Sequence, residues 1–299
     1  MRWKGQRESD NVVDRRDPSA EYTSAGQSGA DYSRPRSGTR SLTLGGVVLA
    51  VVLSYLTGRN PLELLSLLSS TAVVSPDQRA SYDSGFRPAT AQEDESKRFL
   101  SVVLANTEDV WRSVFQQQGK VYSDPSLVIF TDAVDSACGF NRSATGPFYC
   151  PGDQSLYIDI GFLGQLQSSL GANGDFAAAY VIAHEVGHHI QTLLGIESRV
   201  RRKQSESASP NLIQVSMELQ ADCLAGVWGS FAEKQGLLEV GDVEEGINAA
   251  KAVGDDRIQA MNRQAVNPDS FTHGSSAERA RWFKRGFESG DITACDTFS

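Results

Sequence analysis

The chain has 299 residues, 40% of them hydrophobic, with a formal net charge of −9. That length accommodates one large domain with appendages, and the hydrophobic content is that of a globular protein. The acidic balance argues against nucleic acid as a partner and favours protein or peptide.

Residues 1–40 are polar, rich in Arg, Asp, Ser and Gly, and show no apolar period, so they read as a disordered tail. Residues 41–58, SLTLGGVVLAVVLSYLTG, carry no charge and are bounded by Arg34, Arg36 and Arg40 on one side and Arg59 on the other. Eighteen such residues suffice for a short membrane span, the alternative being a buried core helix. A cleaved signal peptide fits less well, because the polar lead is long and no small-x-small site follows. The arginines before the span keep that side in the cytoplasm, which predicts a single-pass protein of the cytoplasmic membrane with the rest of the chain outside.

Residues 61–70 (PLELLSLLSS) read as a short juxtamembrane helix and residues 71–90 as a linker, so 59–92 connects the span to a folded domain over 93–299. From Asp94 to Gly119, Leu100, Val103, Leu104, Trp111, Val114 and Phe115 recur at helical spacing and form a core stripe. Strands are expected at Leu127–Val134 and at Ser155–Ile160, with a turn-rich loop between them over 136–150. A strand just before the next helix is either an edge for an extended peptide or an inert structural strand.

That next helix contains His184-Glu185-Val186-Gly187-His188-His189, three of the four histidines of the chain. On a helix His184 and His188 leave the same face one turn apart, where both imidazoles reach one tetrahedral zinc. Glu185 is placed to act as general base on a water activated by the metal. Asn173, Gly174 and Asp175 offer start signals, Phe176 to Ala183 is apolar, and Gly195 is a stop. The bland alternative, a helix whose histidines bind nothing, leaves two imidazoles buried without a partner, which is costly. His189 points about 100° away from His188 and reads as packing or support.

Asn211 to Gly236 also reads as helical, with Glu218 and Asp222 on one face. Glu218 supplies a third zinc ligand from a second helix and leaves the fourth position open. Asp222, one turn on, can accept from the far nitrogen of a ligand histidine. A solvated acidic face is the alternative. The metzincin pattern is excluded, because Gln191 stands where Gly is required and Leu194 where a third His would sit. Four cysteines allow three pairings. Cys138 with Cys150 closes a short loop and leaves Cys223 with Cys295, as fits an extracytoplasmic domain, and free thiols or a second metal site are the alternatives.

HEVGHHIQ (184–191), ELQADCLAGVW (218–228), SFTHGSSAERARWFKRGFESGD (270–291) and the opening MRWKGQRESDNV resemble the bacterial putative neutral zinc metallopeptidase family, nearly end to end. The resemblance implies a gluzincin-like site, with His184, His188 and Glu218 as ligands to one zinc and Glu185 as catalyst. It also makes His273, in the THGSSA stretch, a candidate donor to the oxyanion of a tetrahedral intermediate, a tie for its own loop being the alternative. The expectation is therefore an α+β zincin-like domain with a small sheet and a mostly helical C-terminal part, membrane-anchored and hydrolysing peptide bonds outside the cytoplasm. The rival readings are a zinc-stabilised scaffold of the cell envelope and a zinc amidase acting on non-peptide amides.

Overall fold

A computed structural model of the chain describes residues 1–16, 89–168, 171 and 174–298. The expected span at 41–58 and the juxtamembrane and linker residues up to 88 lie outside the described residues. Among the described ones no helix is long and apolar enough to cross a membrane.

The first long helix, α1 (Ala91–Gln117), starts three residues before Asp94 because Thr90 and Glu93 form a capping box. The Thr90 hydroxyl accepts from Glu93 N at 3.2 Å and the Glu93 carboxylate from Thr90 N at 2.7 Å. Its predicted stripe, Leu100 to Phe115, is buried. Against it lies a four-stranded sheet in the order β1-β2-β6-β5, with β1 at Val12–Asp14, β2 at Ser126–Phe130, β5 at Phe148–Cys150 and β6 at Ser155–Asp159. β1, β2 and β6 run parallel and β5 antiparallel. Alternation divides the strands: Leu127, Ile129, Leu156 and Ile158 face the helices, while Val128, Phe130 and Tyr157 cluster with Val134 and Cys150 on the other face.

The single strand expected over Leu127–Val134 is cut at Asp132, whose φ is 65°. The Asp159 carboxylate accepts from the Asp132 amide at 2.7 Å and holds that turn. The chain then forms a hairpin of β3 (Ala133–Ser136) and β4 (Gly139–Arg142), so the supposed loop carries β4 and β5 as well as turns.

The tail expected to be disordered over residues 1–40 is described only over 1–16. Residues 1–16 are not disordered: β1 pairs with β2 and the stretch before it is clamped to α1. The Ser9 amide donates to Ser101 Oγ at 3.0 Å, and the buried Glu108 carboxylate accepts from Ser9 Oγ at 2.5 Å and Asn11 Nδ2 at 2.8 Å. Arg7 pairs with Glu108 and Asp109 at 3.1 and 2.9 Å, and Asp14 with Arg16 and Lys97 at 2.7 and 3.0 Å. Met1, Trp3 and Val12 pack against the core, Trp3 edge-on to Phe99, but most of the contacts above are polar, so the segment has no apolar period to read. The folded unit therefore includes residues 1–16 together with those from 89 on.

The remaining elements are helical: α2 (Phe162–Ser168), α3 (Asp175–Leu193), α4 (Ile196–Glu206), α5 (Pro210–Lys234), α6 (Asp242–Ala252), α7 (Asp255–Met261) and α8 (Ser276–Ser289). The chain is thus α+β, mostly helical with a small sheet. α3 lies at the centre, packed by α1, α5 and α6, and α5 also carries α8. Glycine makes the closest approaches possible. A Cβ on Gly226 of α5 would lie 2.0 Å from Phe283 O, and one on Gly286 of α8 would lie 1.9 Å from Cys223 O. Both expected disulfides are present, Cys138–Cys150 and Cys223–Cys295, the second fastening the C-terminal segment to α5.

Candidate metal centre

α3 buries almost its whole circumference, so any polar side chain on it needs a partner inside the protein. His184 and His188 stand one turn apart with ring centroids 4.8 Å from each other. Gly187 lets α5 come close: a Cβ there would touch the backbone of Ala221 at 3.0 Å. That contact brings Glu218 of α5 to the two imidazoles, with Oε2 3.2 Å from His184 Nε2 and 3.5 Å from His188 Nε2.

The donor set matches zinc in its geometry. Three ligand atoms of His184, His188 and Glu218 lie within 4.8 Å of one another. A tetrahedral zinc with bonds near 2.1 Å separates its donors by about 3.4 Å, close to the spacings from Glu218. The opposite ring nitrogens are already committed. His184 Nδ1 lies 2.9 Å from Asp222 Oδ1, and His188 Nδ1 lies 2.9 Å from Gln191 Oε1. Gln191 donates through Nε2 to Met217 O at 2.8 Å, which turns its oxygen toward His188. Both Nε2 atoms are therefore left for a metal, and the residues fit zinc with one position open.

The metal-free electrostatics agree with a cation site. Burial works against charge on His184, yet Asp222 and Glu218 outweigh it and raise its pKa to about 9. His188 is raised in the same way, chiefly by Glu218. Burial pushes the Glu218 carboxyl up, and the two imidazoles more than reverse it, leaving it well below the usual range. Asp222 also pairs with Arg279 of α8, Nε to Oδ2 at 2.8 Å and Nη2 to Oδ1 at 2.9 Å, and accepts from the Tyr180 hydroxyl. Arg279 is 3% exposed and Asp222 fully buried.

Glu185 and His273 line the same cavity of about 560 Å³ as the three candidate donors. His273 sits on the loop before α8, its Nδ1 beside Thr272 Oγ1 at 3.0 Å and Asp255 Oδ1 at 3.3 Å. Asp255 Oδ2 accepts from the amides of Thr272, His273 and Gly274, so one carboxylate shapes the whole loop. Of the predicted site residues, His184, Glu185, His188, Glu218 and His273 line one cavity, and Asp222 lies buried behind His184. Arg279, Gln191, Tyr180 and Asp255 were not singled out from sequence. A buried Arg on an amphipathic helix looks like a solvated one until its partner is placed.

A second acidic cluster, Asp175, Asp242 and Glu245, surrounds the start of α3. The ammonium of Met1 occupies it, 2.8 Å from Asp175 Oδ1 and 3.3 Å from Asp242 Oδ2.

A family model described as "Putative neutral zinc metallopeptidase" matches residues 1–298. The chain is similar to the uncharacterized protein YpfJ of Escherichia coli strain K12, 47% identical over 300 residues, covering 100% of this chain and 99% of the relative. It is also similar to the uncharacterized protein Rv2575 of Mycobacterium tuberculosis strain H37Rv, 39% identical over 216 residues, covering 69% of this chain and 73% of the relative. No solved structure matches.

Proposed function

The chain belongs to the family described as "Putative neutral zinc metallopeptidase", and on that premise we propose that it is a zincin-like hydrolase of peptide bonds with one zinc held by His184, His188 and Glu218. The observation that carries the reading is the convergence of those three donors on one cavity wall with Glu185 beside them. A structural zinc site has no need of that extra carboxylate, which disfavours the scaffold alternative.

When bound, zinc supplies Lewis-acid chemistry: it acidifies water and polarises the scissile carbonyl. The chain's own residues do the rest. Glu185 takes the proton from the attacking water and returns it to the leaving amine. His273, held through Nδ1 by Asp255 and Thr272, offers Nε2 as a donor to the developing oxyanion. Asp222 keeps the proton of His184 on Nδ1 and so keeps Nε2 free for the metal. β5 pairs with β6 on one side only among the described residues, and its other edge is where an extended peptide adds as a strand.

Two disulfides favour an oxidising compartment outside the cytoplasm. The uncharged stretch 41–58 is apolar enough to enter a membrane. The test is zinc content and cleavage of a mixed peptide library by the full chain beside Glu185→Gln and Glu218→Ala. One zinc per chain, activity lost in Glu185→Gln with metal retained, and metal lost in Glu218→Ala are expected. Zinc with no cleavage of any peptide would overturn the peptidase reading.

A further inference from the structure

The third histidine of the helical motif takes no part in the ligand set, and its contacts lead to another element. His189 is fully buried, and its Nε2 lies 2.6 Å from the carbonyl oxygen of Ser123. A carbonyl only accepts, so Nε2 carries the proton and Nδ1 is the acceptor. The Tyr149 hydroxyl, 3.1 Å away, donates to it. Tyr122 and Tyr149 meet the imidazole edge to face with centroids 5.6 and 5.5 Å away, which fixes the ring plane.

Tyr149 is the middle residue of β5 and lines the cavity with His184 and Glu185. β5 has three residues and three register pairs to β6. So short a ladder holds an edge weakly. The Cys138–Cys150 bond ties it to the segment before β4. The Tyr149–His189 bond ties it to α3, one residue beyond the ligand His188.

We propose that His189 is a positioning residue that acts through Tyr149 to hold the β5 edge at a fixed height over the ligand pair, so that a peptide on that edge presents its carbonyl to the metal. The proposal rests on the peptidase reading above. Positioning of this kind matters because a misplacement of about 1 Å at a reacting group costs on the order of a hundredfold in rate.

Two probes separate the edge from the metal in the full-length, zinc-loaded protein. Acetohydroxamate reports the metal alone, and a peptidyl hydroxamate reports metal and edge together. Wild type is expected to prefer the peptidyl probe strongly. Tyr149→Phe and His189→Ala should each weaken it about tenfold, the loss of one net hydrogen bond, while acetohydroxamate binding stays within about twofold. The double variant should be no worse than either single one, and His189→Asn, which keeps an acceptor near the Nδ1 position, should recover most of the loss. An unchanged ratio of the two affinities in Tyr149→Phe, which removes only the hydroxyl, overturns the proposal. Equal weakening of both probes also overturns it, because His189 would then support the metal site. A wild type with no preference for the peptidyl probe sinks the peptidase reading and this proposal together, an outcome the variants cannot mimic.

Discussion

Replacing Asp222 by Asn probes the network behind His184 with almost no change of shape. Asp222 Oδ1 accepts from the Tyr180 hydroxyl, from His184 Nδ1 at 2.9 Å and from Arg279 Nη2 at 2.9 Å, and Oδ2 accepts from Arg279 Nε at 2.8 Å. An amide keeps one acceptor oxygen and puts an NH₂ donor in the other place. Whichever way it flips, that donor faces another donor. Arg279 also loses the counter-charge of a pair that is buried on both sides. Leaving one partner of a buried pair uncompensated costs about 3–5 kcal/mol, and removing the partner of a ligand histidine costs about 10–100-fold in metal affinity. Denaturant unfolding of the metal-free protein should therefore show a loss of at least about 3 kcal/mol. Competition with a chromogenic chelator should show zinc binding weakened about tenfold or more. The double change Asp222→Leu with Arg279→Met should regain much of the stability, since the charge leaves with its partner, but none of the zinc affinity. A stability loss below about 1 kcal/mol for Asp222→Asn, smaller than one buried unsatisfied donor costs, would refute the argument that a carboxylate is required there.

Gly226→Ala places a methyl 2.0 Å from Phe283 O and 2.7 Å from Phe287 N, backbone atoms that cannot swing away. Overpacking of about 1–3 kcal/mol should lower Tm by several degrees at about 2–4 °C per kcal/mol, and a superimposable melting curve would count against the close α5–α8 contact. Because His184 is raised to about 9 without metal, it is protonated at pH 7 and must lose that proton when zinc binds. Calorimetry in buffers of different ionisation enthalpy should detect the release, and a titration that releases no proton contradicts the assignment. Asp14 is held well below its usual pKa, since the hydrogen bonds from Arg16 and Lys97 outweigh its partial burial. A depressed carboxylate contributes stability above its unfolded pKa of about 4 and loses it as pH falls toward the folded value. Amide exchange at Val12–Asp14, corrected for its intrinsic pH dependence, should accelerate below about pH 4, and Asp14→Asn should remove that dependence.

The parts of the site that a sequence reveals are those written in one helix turn. His184, Glu185 and His188 declare themselves through spacing alone, and Glu218 with Asp222 follows because zinc demands a third ligand and a support. The cysteines were readable because only one pairing closes a short loop. What escaped is non-local. Arg279 finds Asp222 across 57 residues of sequence, and nothing in its own helix marks it as buried. Gln191 looked only like a departure from another motif, whereas its amide orients His188. β5 has three residues in a stretch of turn formers and exists because β6 pairs with it. Residues 1–16 carry no apolar period, since ion pairs and hydroxyl contacts to a helix about a hundred residues away share the work of holding them with a few scattered apolar anchors such as Trp3 and Val12.

The pairing of β1 with β2 imposes a rule of parity on the rest of the chain. A polypeptide that leaves a folded body at residue 16 and rejoins it at residue 89 starts and ends on the same face of any bilayer it meets. It can cross that bilayer twice or not at all, but not once. Residues 41–58 are long enough for one passage, and the next apolar run, 61–70, has only ten residues, about half of what a second passage requires. The anchor expected from composition, with the first residues on one side and the zinc domain on the other, would tear β1 out of the sheet. Reporters at both ends of the chain should consequently face the same compartment.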